Sequence, residues 1–311
     1  MAQRIITRTV TGSLLQTERS LGLKHNVYDF TTLNQAISER TIIANLPNPI
    51  TLGMEVLPDY EYQTDSDQIF TKYIVIGNGG HKNITGSSGT GASGIPYTLP
   101  IPHLASDTGL YNPIPLVGRK VTADLTIAER RRYCLRRTIW LNGELWAFYF
   151  GLVLDYTRVT PTVNITYVVD GQNSTVEYVP TMQNLRPTPP TEDVTYNGSY
   201  ADVTAPVQVV WDEAQIQDIK DACRNLYGTE NVAIISEIAI CSGVSKPITH
   251  KYPNSGTQTP GAVAANTFFE TVACQVVLYI STYVPIAFAD REYKLELDLG
   301  ATEPLFGVNA R

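Results

Sequence analysis

The C-terminal stretch, residues 272–306, contains the pattern that most restricts the fold: a strict alternation of apolar and charged residues at positions 293–299. Those seven residues read Tyr-Lys-Leu-Glu-Leu-Asp-Leu. Because successive side chains of a strand point to opposite faces, one face is apolar and the other charged. Such one-sided burial is typical of an antiparallel sheet. An earlier strand is predicted at residues 275–281, and Pro285 breaks it because proline lacks the amide that a central ladder needs.

The composition fits a globular β protein whose surface is partly covered by other chains. Of 311 residues, 43% are hydrophobic but only 17% are charged, below the usual quarter. The chain has 22 glycines, 19 prolines and 18 tyrosines, which favours many turns and much aromatic contact surface. Interface cores are depleted in charge and enriched in aromatic residues, so we expect neighbouring subunits. The alternative is an ordinary β protein with Thr, Ser and Asn on its surface.

Charge, hydropathy and cysteine spacing exclude several classes of protein. A net charge of −7 argues against a nucleic-acid binder, because phosphate contacts depend on Lys and Arg. The longest uncharged apolar run, residues 145–154, is too short for a transmembrane helix, and the N-terminus lacks the apolar core of a signal peptide. We therefore expect no membrane partner and folding in a cytoplasm. The four cysteines are far apart, which predicts reduced, mostly buried thiols.

Turn and capping signals place the main elements of a mainly β chain. Asn142-Gly143 predicts a hairpin between residues 133–141 and 145–155, and Gly171 a second one between residues 164–170 and 175–180. One amphipathic helix is predicted at residues 212–227, with a capping box formed by Asp212 and Gln215. The fold class is therefore antiparallel β-sandwich domains with one amphipathic helix and long irregular loops.

A buried strand, residues 231–241, follows the helix and carries a single charge, Glu237. Residues 77–118 form a glycine- and proline-rich excursion, whose glycine-rich start we interpret as a flexible loop. Residues 185–193 are a stiff proline linker and a candidate domain boundary.

No pattern in the sequence predicts a catalytic, cofactor or metal site. Residues 89–94 fit G-x-G-x-x-G, but Pro96 follows where a dinucleotide site needs a helix, so a mobile loop is the better interpretation. His81 and His103 lie in the excursion and are interpreted as solvated loop histidines. We therefore predict that the chain is not an enzyme and needs no cofactor.

A basic cluster stands out in this acidic chain beside Tyr133 and Trp140. Its members are Arg130, Arg131, Arg132, Arg136 and Arg137. Guanidinium groups suit the carboxylates of a neighbouring chain, while nucleic-acid contact is the alternative. Together with His81, Tyr97 and Tyr111 of the excursion, these arginines are the candidate interface residues.

Three pieces of the chain resemble structural proteins of tailed bacteriophages. The tail VLYISTYVPIAFADREYKLELDLGATEPLF and the preceding NVAIISEIAICSGVSKPIT are similar to the C-terminal part of the middle baseplate wedge protein of T4-type contractile tails. The series RRYCLRRTIWLNGELWAFYFGLVLD, NLRPTPP and the capped helix resembles uncharacterised virion proteins of tailed phages. The likeness is strongest over residues 205–306 and weak before residue 120.

The resemblance implies a homodimeric, two-domain, β-rich wedge component of the virion tail baseplate, made in the host cytoplasm. Its partners would be itself and other baseplate proteins. Both chain ends, residues 1–46 and 194–311, would form a core β-sandwich domain around an inserted β-rich domain, residues 47–193. The alternatives are a neck or capsid-associated virion protein, or a carbohydrate-binding or enzymatic β domain. In the last case Trp140, Trp146 and Trp211 could stack on sugars.

Overall fold

A computed structural model describes residues 4–21, 69–84, 97–107, 109–126, 128–169, 171–179, 181, 198–253, 263–288 and 291–305. Within them the chain is mainly β, as the sequence predicts. The helices are α1 (Val10–Ser20) and α2 (Glu213–Tyr227). The strands are β1 (Arg4–Arg8), β2 (Phe70–Gly77), β3 (His81–Ile84), β4 (Tyr97–Pro100), β5 (Val117–Lys120), β6 (Tyr133–Leu141), β7 (Glu144–Val153), β8 (Thr162–Val169), β9 (Gln172–Glu177), β10 (Tyr200–Thr204), β11 (Pro206–Trp211), β12 (Ile234–Pro253), β13 (Val263–Ala287), β14 (Tyr293–Asp298) and β15 (Ala301–Pro304).

The chain divides into two compact units. Unit 1 comprises residues 1–153 and 211–292, and unit 2 comprises residues 154–210 and 293–311. This division differs from the predicted domains, because β2, from the predicted inserted domain, pairs along β12 from the predicted core domain. The face-to-face packing of a β-sandwich stays a prediction.

Unit 1 is built on a seven-stranded antiparallel sheet in the order β1-β13-β12-β2-β7-β5, with β6 also paired to β7. The β6–β7 hairpin turns at Asn142-Gly143, as predicted, and both residues have positive φ (51° and 81°). Residues 73–76 in the middle of β2 are only 0–1% exposed, so the sheet is covered on both faces there. Its core includes Phe148 and Phe150 together with Cys134, Cys241 and Cys274. All four cysteines are free and buried, which confirms the prediction.

Helix α2 confirms the capping signals. The Asp212 carboxylate accepts a hydrogen bond from the Gln215 amide at 2.8 Å, and Gly228 ends the helix with φ of 79°. Helix α1 was not predicted, because its sequence, VTGSLLQTERS, contains β-branched residues and a glycine that have poor helix propensity. Gly12 is needed there because a Cβ at this position would lie 2.3 Å from the Val277 carbonyl oxygen. Close packing of Gly12 against β13 therefore explains why a helix forms here despite its poor local propensity.

Strand β13 corrects the predicted break at Pro285. The strand extends to Ala287, and the β12–β13 register shifts between Ile235, paired with Ile286, and Glu237, paired with Ser281. Pro285 therefore lies where the ladder is already irregular, which is where a residue without an amide is tolerated.

Unit 2 contains a four-stranded sheet, β15-β10-β8-β9, and the two-stranded ribbon β11–β14. The predicted hairpin at Gly171 joins β8 to β9, with a φ of 75° at the glycine. The alternation in β14 is also confirmed: Leu295 and Leu297 are each 3% exposed, whereas the charged residues between and beside them are exposed. Local patterning is therefore enough to predict these strands.

Candidate functional site

The most elaborate polar site in the described residues surrounds Glu237, the lone charge of the buried part of β12. The side chain of Glu237 is fully buried. One carboxylate oxygen accepts hydrogen bonds from the amides of Gly79 (2.9 Å) and Asn112 (2.7 Å), and the other accepts from the amide of Tyr111 (3.0 Å). A buried charge is costly unless it is paired and hydrogen-bonded, so these amides replace the water that Glu237 loses on folding.

His103 is the side-chain partner of Glu237. Its Nε2 lies 2.9 Å from Glu237 Oε2, and its Nδ1 lies 3.1 Å from Asp107 Oδ2. Each ring nitrogen of His103 therefore has a carboxylate oxygen within hydrogen-bonding distance. The ring is stacked between Tyr111 and Tyr279, with centroid distances of 4.1 and 3.9 Å, and the residue is only 3% exposed. The prediction of a solvated loop histidine is therefore wrong for His103.

The start of the glycine-rich excursion is tightly packed against this network. A Cβ on Gly80 would lie 2.1 Å from the Ser236 carbonyl oxygen, and one on Gly79 would lie 2.8 Å from Glu237 Oε1. The Asn78 and Ile101 amides donate to the carbonyls of Asn112 and Gly80 at 2.9 and 2.8 Å. The glycines at positions 79 and 80 thus serve close approach to β12, which corrects the flexible-loop prediction there. Residues 85–96, including the G-x-G-x-x-G pattern, lie outside the described residues.

The candidate residues His81, Tyr97 and Tyr111 fall in different environments. His81 lies in β3, and burial lowers its pKa below the ordinary value against the opposing effect of the Glu237 charge. The Tyr111 ring stacks on His103, and its hydroxyl donates to the Pro102 carbonyl at 3.1 Å. Tyr97 in β4 is 53% exposed. Tyr111 therefore belongs to the buried network, while Tyr97 is available at the surface.

The five arginines of the predicted cluster lie in different environments, and two of them bind a carboxylate of the same chain. Arg130 and Arg136 each approach Asp124 Oδ2 at 2.8 Å, and the Tyr149 hydroxyl donates to Asp124 Oδ1 at 3.0 Å. These are contacts within the chain, so the carboxylate that the two guanidinium groups bind is not one supplied by a neighbour.

The other three arginines are divided between the interior and the surface. Arg137 is buried, which lowers its pKa to about 10, whereas Arg131 and Arg132 are exposed. An interface role stays a prediction, and the exposed pair, Arg131 and Arg132, fits it best.

The sequence indicates that Glu237 is the single charge of a buried strand, but it did not predict the network around this residue. The available signal was a single glutamate inside an apolar strand, because such a charge requires partners. What the sequence could not indicate was where the partners lie: His103 is 134 positions away and Gly79 is 158 positions away. The network joins residues 77–80, 101–107 and 109–113 to β12 and β13 through hydrogen bonds and ring stacking. It is an anchor for these loops.

A second feature of unit 1 is a long two-stranded extension of its sheet. Strand β2 pairs with β12 as far as Gly243, and β1 pairs with residues 278–282 of β13. Beyond them, residues 244–253 of β12 pair with residues 263–272 of β13. Among the described strands, neither of these two segments has another partner. We call this ribbon the β-arm. At about 3.3 Å per residue, its ten residues extend roughly 33 Å.

The fold and these sites define an antiparallel β protein of two units, one of which has a two-stranded extension of its sheet. The chain belongs to a family described as "Family of unknown function (DUF7208)", which matches residues 1–311. No curated protein and no solved structure matches the chain. In the described part of the chain, no helix is long and apolar enough to cross a membrane, and no three His, Cys, Asp or Glu side chains form a metal-binding group.

Proposed function

We propose that this protein is a structural component of a tailed-phage particle, most specifically a homodimeric baseplate wedge subunit that joins neighbouring baseplate proteins through β-edge and loop contacts. The observation that supports it best is the β-arm. The resemblance of residues 205–306 to a T4-type wedge protein is the reason for proposing the baseplate as its location in the particle. A neck or capsid position would use the same edges and is the alternative.

The β-arm fits an assembly role because an isolated two-stranded ribbon is only marginally stable in water. Within the described residues, both of its outer backbone edges lack a partner strand. A strand from another protein can add to such an edge and form backbone hydrogen bonds along its length. Pairing of this kind would stabilise the ribbon and join two subunits at once.

The two edges of the β-arm are not equivalent in sequence. The β12 half contains Pro247 and Pro253, which lack amide donors, and also Lys246 and Lys251. Proline and lysine are residues that natural proteins place on strand edges to prevent pairing. The β13 half, residues 263–272, contains no proline and a single charge, Glu270. The partner strand therefore adds along β13, on the edge that β1 occupies further along.

Trimming the β-arm tests the proposal. Ser245 pairs with Thr271, so joining them through Asn-Gly shortens the ribbon and keeps its register. We expect the trimmed chain to fold, with unchanged tryptophan fluorescence, but to be missing from purified particles when it replaces the natural chain in an infection. The matched control replaces only His250 and Asn266, an opposed pair within the β-arm, by threonine.

The proposal is refuted in either of two ways. One is that the natural chain is absent from purified, tail-containing particles by mass spectrometry. The other is that the trimmed chain is incorporated as well as the control. A map of the particle then separates the baseplate from the neck and the capsid.

A further inference from the structure

An open pocket of about 390 Å³ lies in unit 1 between α2, β5 and the residues just before β6. Sites for small ligands usually have volumes of about 300–1,000 Å³. The floor of this pocket is apolar: Val117 and Leu125 line it and are 0% and 7% exposed. The other lining residues include charged side chains that are exposed or partly exposed. A pocket built in this way suits a ligand with one apolar part and one polar part.

Tyr133, which also lines the pocket, has an unused hydroxyl group. The residue is only 8% exposed, yet among the described residues its hydroxyl has no hydrogen-bond partner. The oxygen is still reachable by solvent, and the charges that act on it include Arg132 and Asp218, which line the same pocket. Burial raises the pKa of this hydroxyl, so it stays protonated at neutral pH and can donate to a ligand.

The two carboxylates of the pocket are already bound by donors of the same chain. Arg119 Nη2 lies 2.8 and 2.9 Å from the two carboxylate oxygens of Asp218. Glu129 Oε2 accepts hydrogen bonds from the amide and the hydroxyl of Thr126, at 2.8 and 2.7 Å. Because these oxygens are occupied, the acidic side chains of the pocket offer little to a cationic ligand.

Arg132 brings guanidinium donors to the side of the pocket where Tyr133 lies. Its guanidinium carbon lies 6.0 Å from the centroid of the Tyr133 ring, and the residue is exposed. Its Nη2 lies 3.4 Å from Gln215 Oε1, which is longer than an ordinary hydrogen bond. A guanidinium has five N–H donors in a planar fork, so it can bind a carboxylate in addition to its contacts within the chain.

We propose that this pocket binds a monocarboxylate that carries an apolar group. Arg132 and the Tyr133 hydroxyl donate to the carboxylate, and the buried floor contacts the apolar group. A dianion such as phosphate fits less well, because the carboxylates of Glu129 and Asp218 lie in the same pocket and repel it. The carboxylate belongs either to a neighbouring protein or to a free small molecule, since both present the same chemistry. The site does not rest on the phage assignment.

Titration of the full chain with 3-phenylpropionate, followed by ligand-observed NMR up to about 20 mM, tests the site over the range expected for so small a probe. We expect saturable binding with a Kd on the order of 1 mM. The neutral 3-phenylpropanamide and the cationic 3-phenylpropylamine should bind at least about fivefold more weakly, because neither accepts charge-assisted hydrogen bonds. No saturable binding of the acid overturns the proposal, as does binding of the amide or the amine that is as tight as that of the acid.

Three variants locate the binding in this pocket. Y133F removes only the unused hydroxyl, so it should weaken binding of 3-phenylpropionate about five- to tenfold and leave the Tm of the chain unchanged. R132M removes the guanidinium from an exposed side chain and should weaken binding at least about tenfold. R131M is the matched control, because Arg131 is the neighbouring exposed arginine and does not line the pocket. Natural affinity in Y133F and R132M overturns the proposal, as does equal weakening by R131M.

A blocked dipeptide distinguishes the two sources of the carboxylate. Acetyl-phenylalanyl-glutamyl amide presents an apolar group and a side-chain carboxylate on a peptide backbone, as a neighbouring protein would. Binding of the dipeptide at least as tight as that of 3-phenylpropionate assigns the pocket to a protein segment. Binding of the free acid alone assigns it to a small molecule, and both results support the carboxylate site. Incorporation into particles is measured separately, so failure here leaves the phage assignment to its own test.

Discussion

The two largest sheets among the described residues differ in how completely they are covered. In unit 1, residues 73–76 of the central strand β2 are 0–1% exposed, and even the charge on the neighbouring strand is enclosed and paired. In unit 2, the central strand β8 has only Thr166 buried among its described side chains, and the adjacent Val176 is 52% exposed. Both sheets are antiparallel, and both central strands, β2 and β8, are rich in β-branched and aromatic residues. The difference is therefore in packing and not in propensity.

The comparison teaches that the central strand of the sheet in unit 1 is enclosed by its own chain, whereas the central strand of the sheet in unit 2 keeps most of its side chains partly exposed. Fully buried strands contribute about 1.5–3 kcal/mol for each large apolar side chain, and half-buried ones contribute correspondingly less. Unit 1 should therefore dominate the stability of the isolated chain.

The largest effect is expected from removing the buried charge of unit 1. E237A leaves the buried His103 ring and three backbone amides without the carboxylate that they contact, and breaking a buried pair typically costs about 3–5 kcal/mol. All three tryptophans lie in unit 1, so tryptophan fluorescence during guanidinium unfolding follows that unit. The control is E144A, which breaks the exposed Lys120–Glu144 pair and should cost at most about 1 kcal/mol. Equal losses for the two variants would contradict the network described here.

A matched pair of isoleucines compares the two sheets directly. Ile74 in β2 is 1% exposed, so I74A should cost about 2–5 kcal/mol through lost burial and a cavity. Ile165 in β8 is partly exposed, so I165A should cost about 1–2 kcal/mol, because part of its surface is solvated in the folded chain. Hydrogen exchange of peptides from β2 and β8 measures each unit separately. Similar loss of protection in both strands would show that the units are equally well packed.

The smallest effect is expected at the N-terminus of α2. D212A removes the side chain that caps the helix and should lower the free energy of unfolding by about 1 kcal/mol. D212N keeps an oxygen that accepts from the Gln215 amide and should lose much less. Tryptophan fluorescence again provides the measurement, since α2 belongs to unit 1. If D212N loses as much as D212A, the negative charge matters more than the hydrogen bond.

Several elements could be predicted because their causes are local. The hairpin at Asn142-Gly143, the capped helix α2 and the alternating strand β14 each depend on residues within a few positions of one another. Helix α1 could not be predicted in this way, because its poor local propensity is overcome by packing of Gly12 on β13. The candidate interface was predicted only from residue types that favour interfaces. The structure places three of its members, Arg130, Arg136 and Tyr111, in contacts within the chain.

By itself the sequence determined the β class, the reduced and buried cysteines, the turns and the helix ends, since period-two patterning and capping act over a few residues. Only the tertiary structure decided that Glu237 meets His103, that Arg130 and Arg136 share Asp124, and that β12 and β13 extend beyond their neighbours. Those outcomes depend on segments far apart in the chain. No short pattern encodes them, because the partner of a buried charge or of a free strand edge is chosen by where the chain returns.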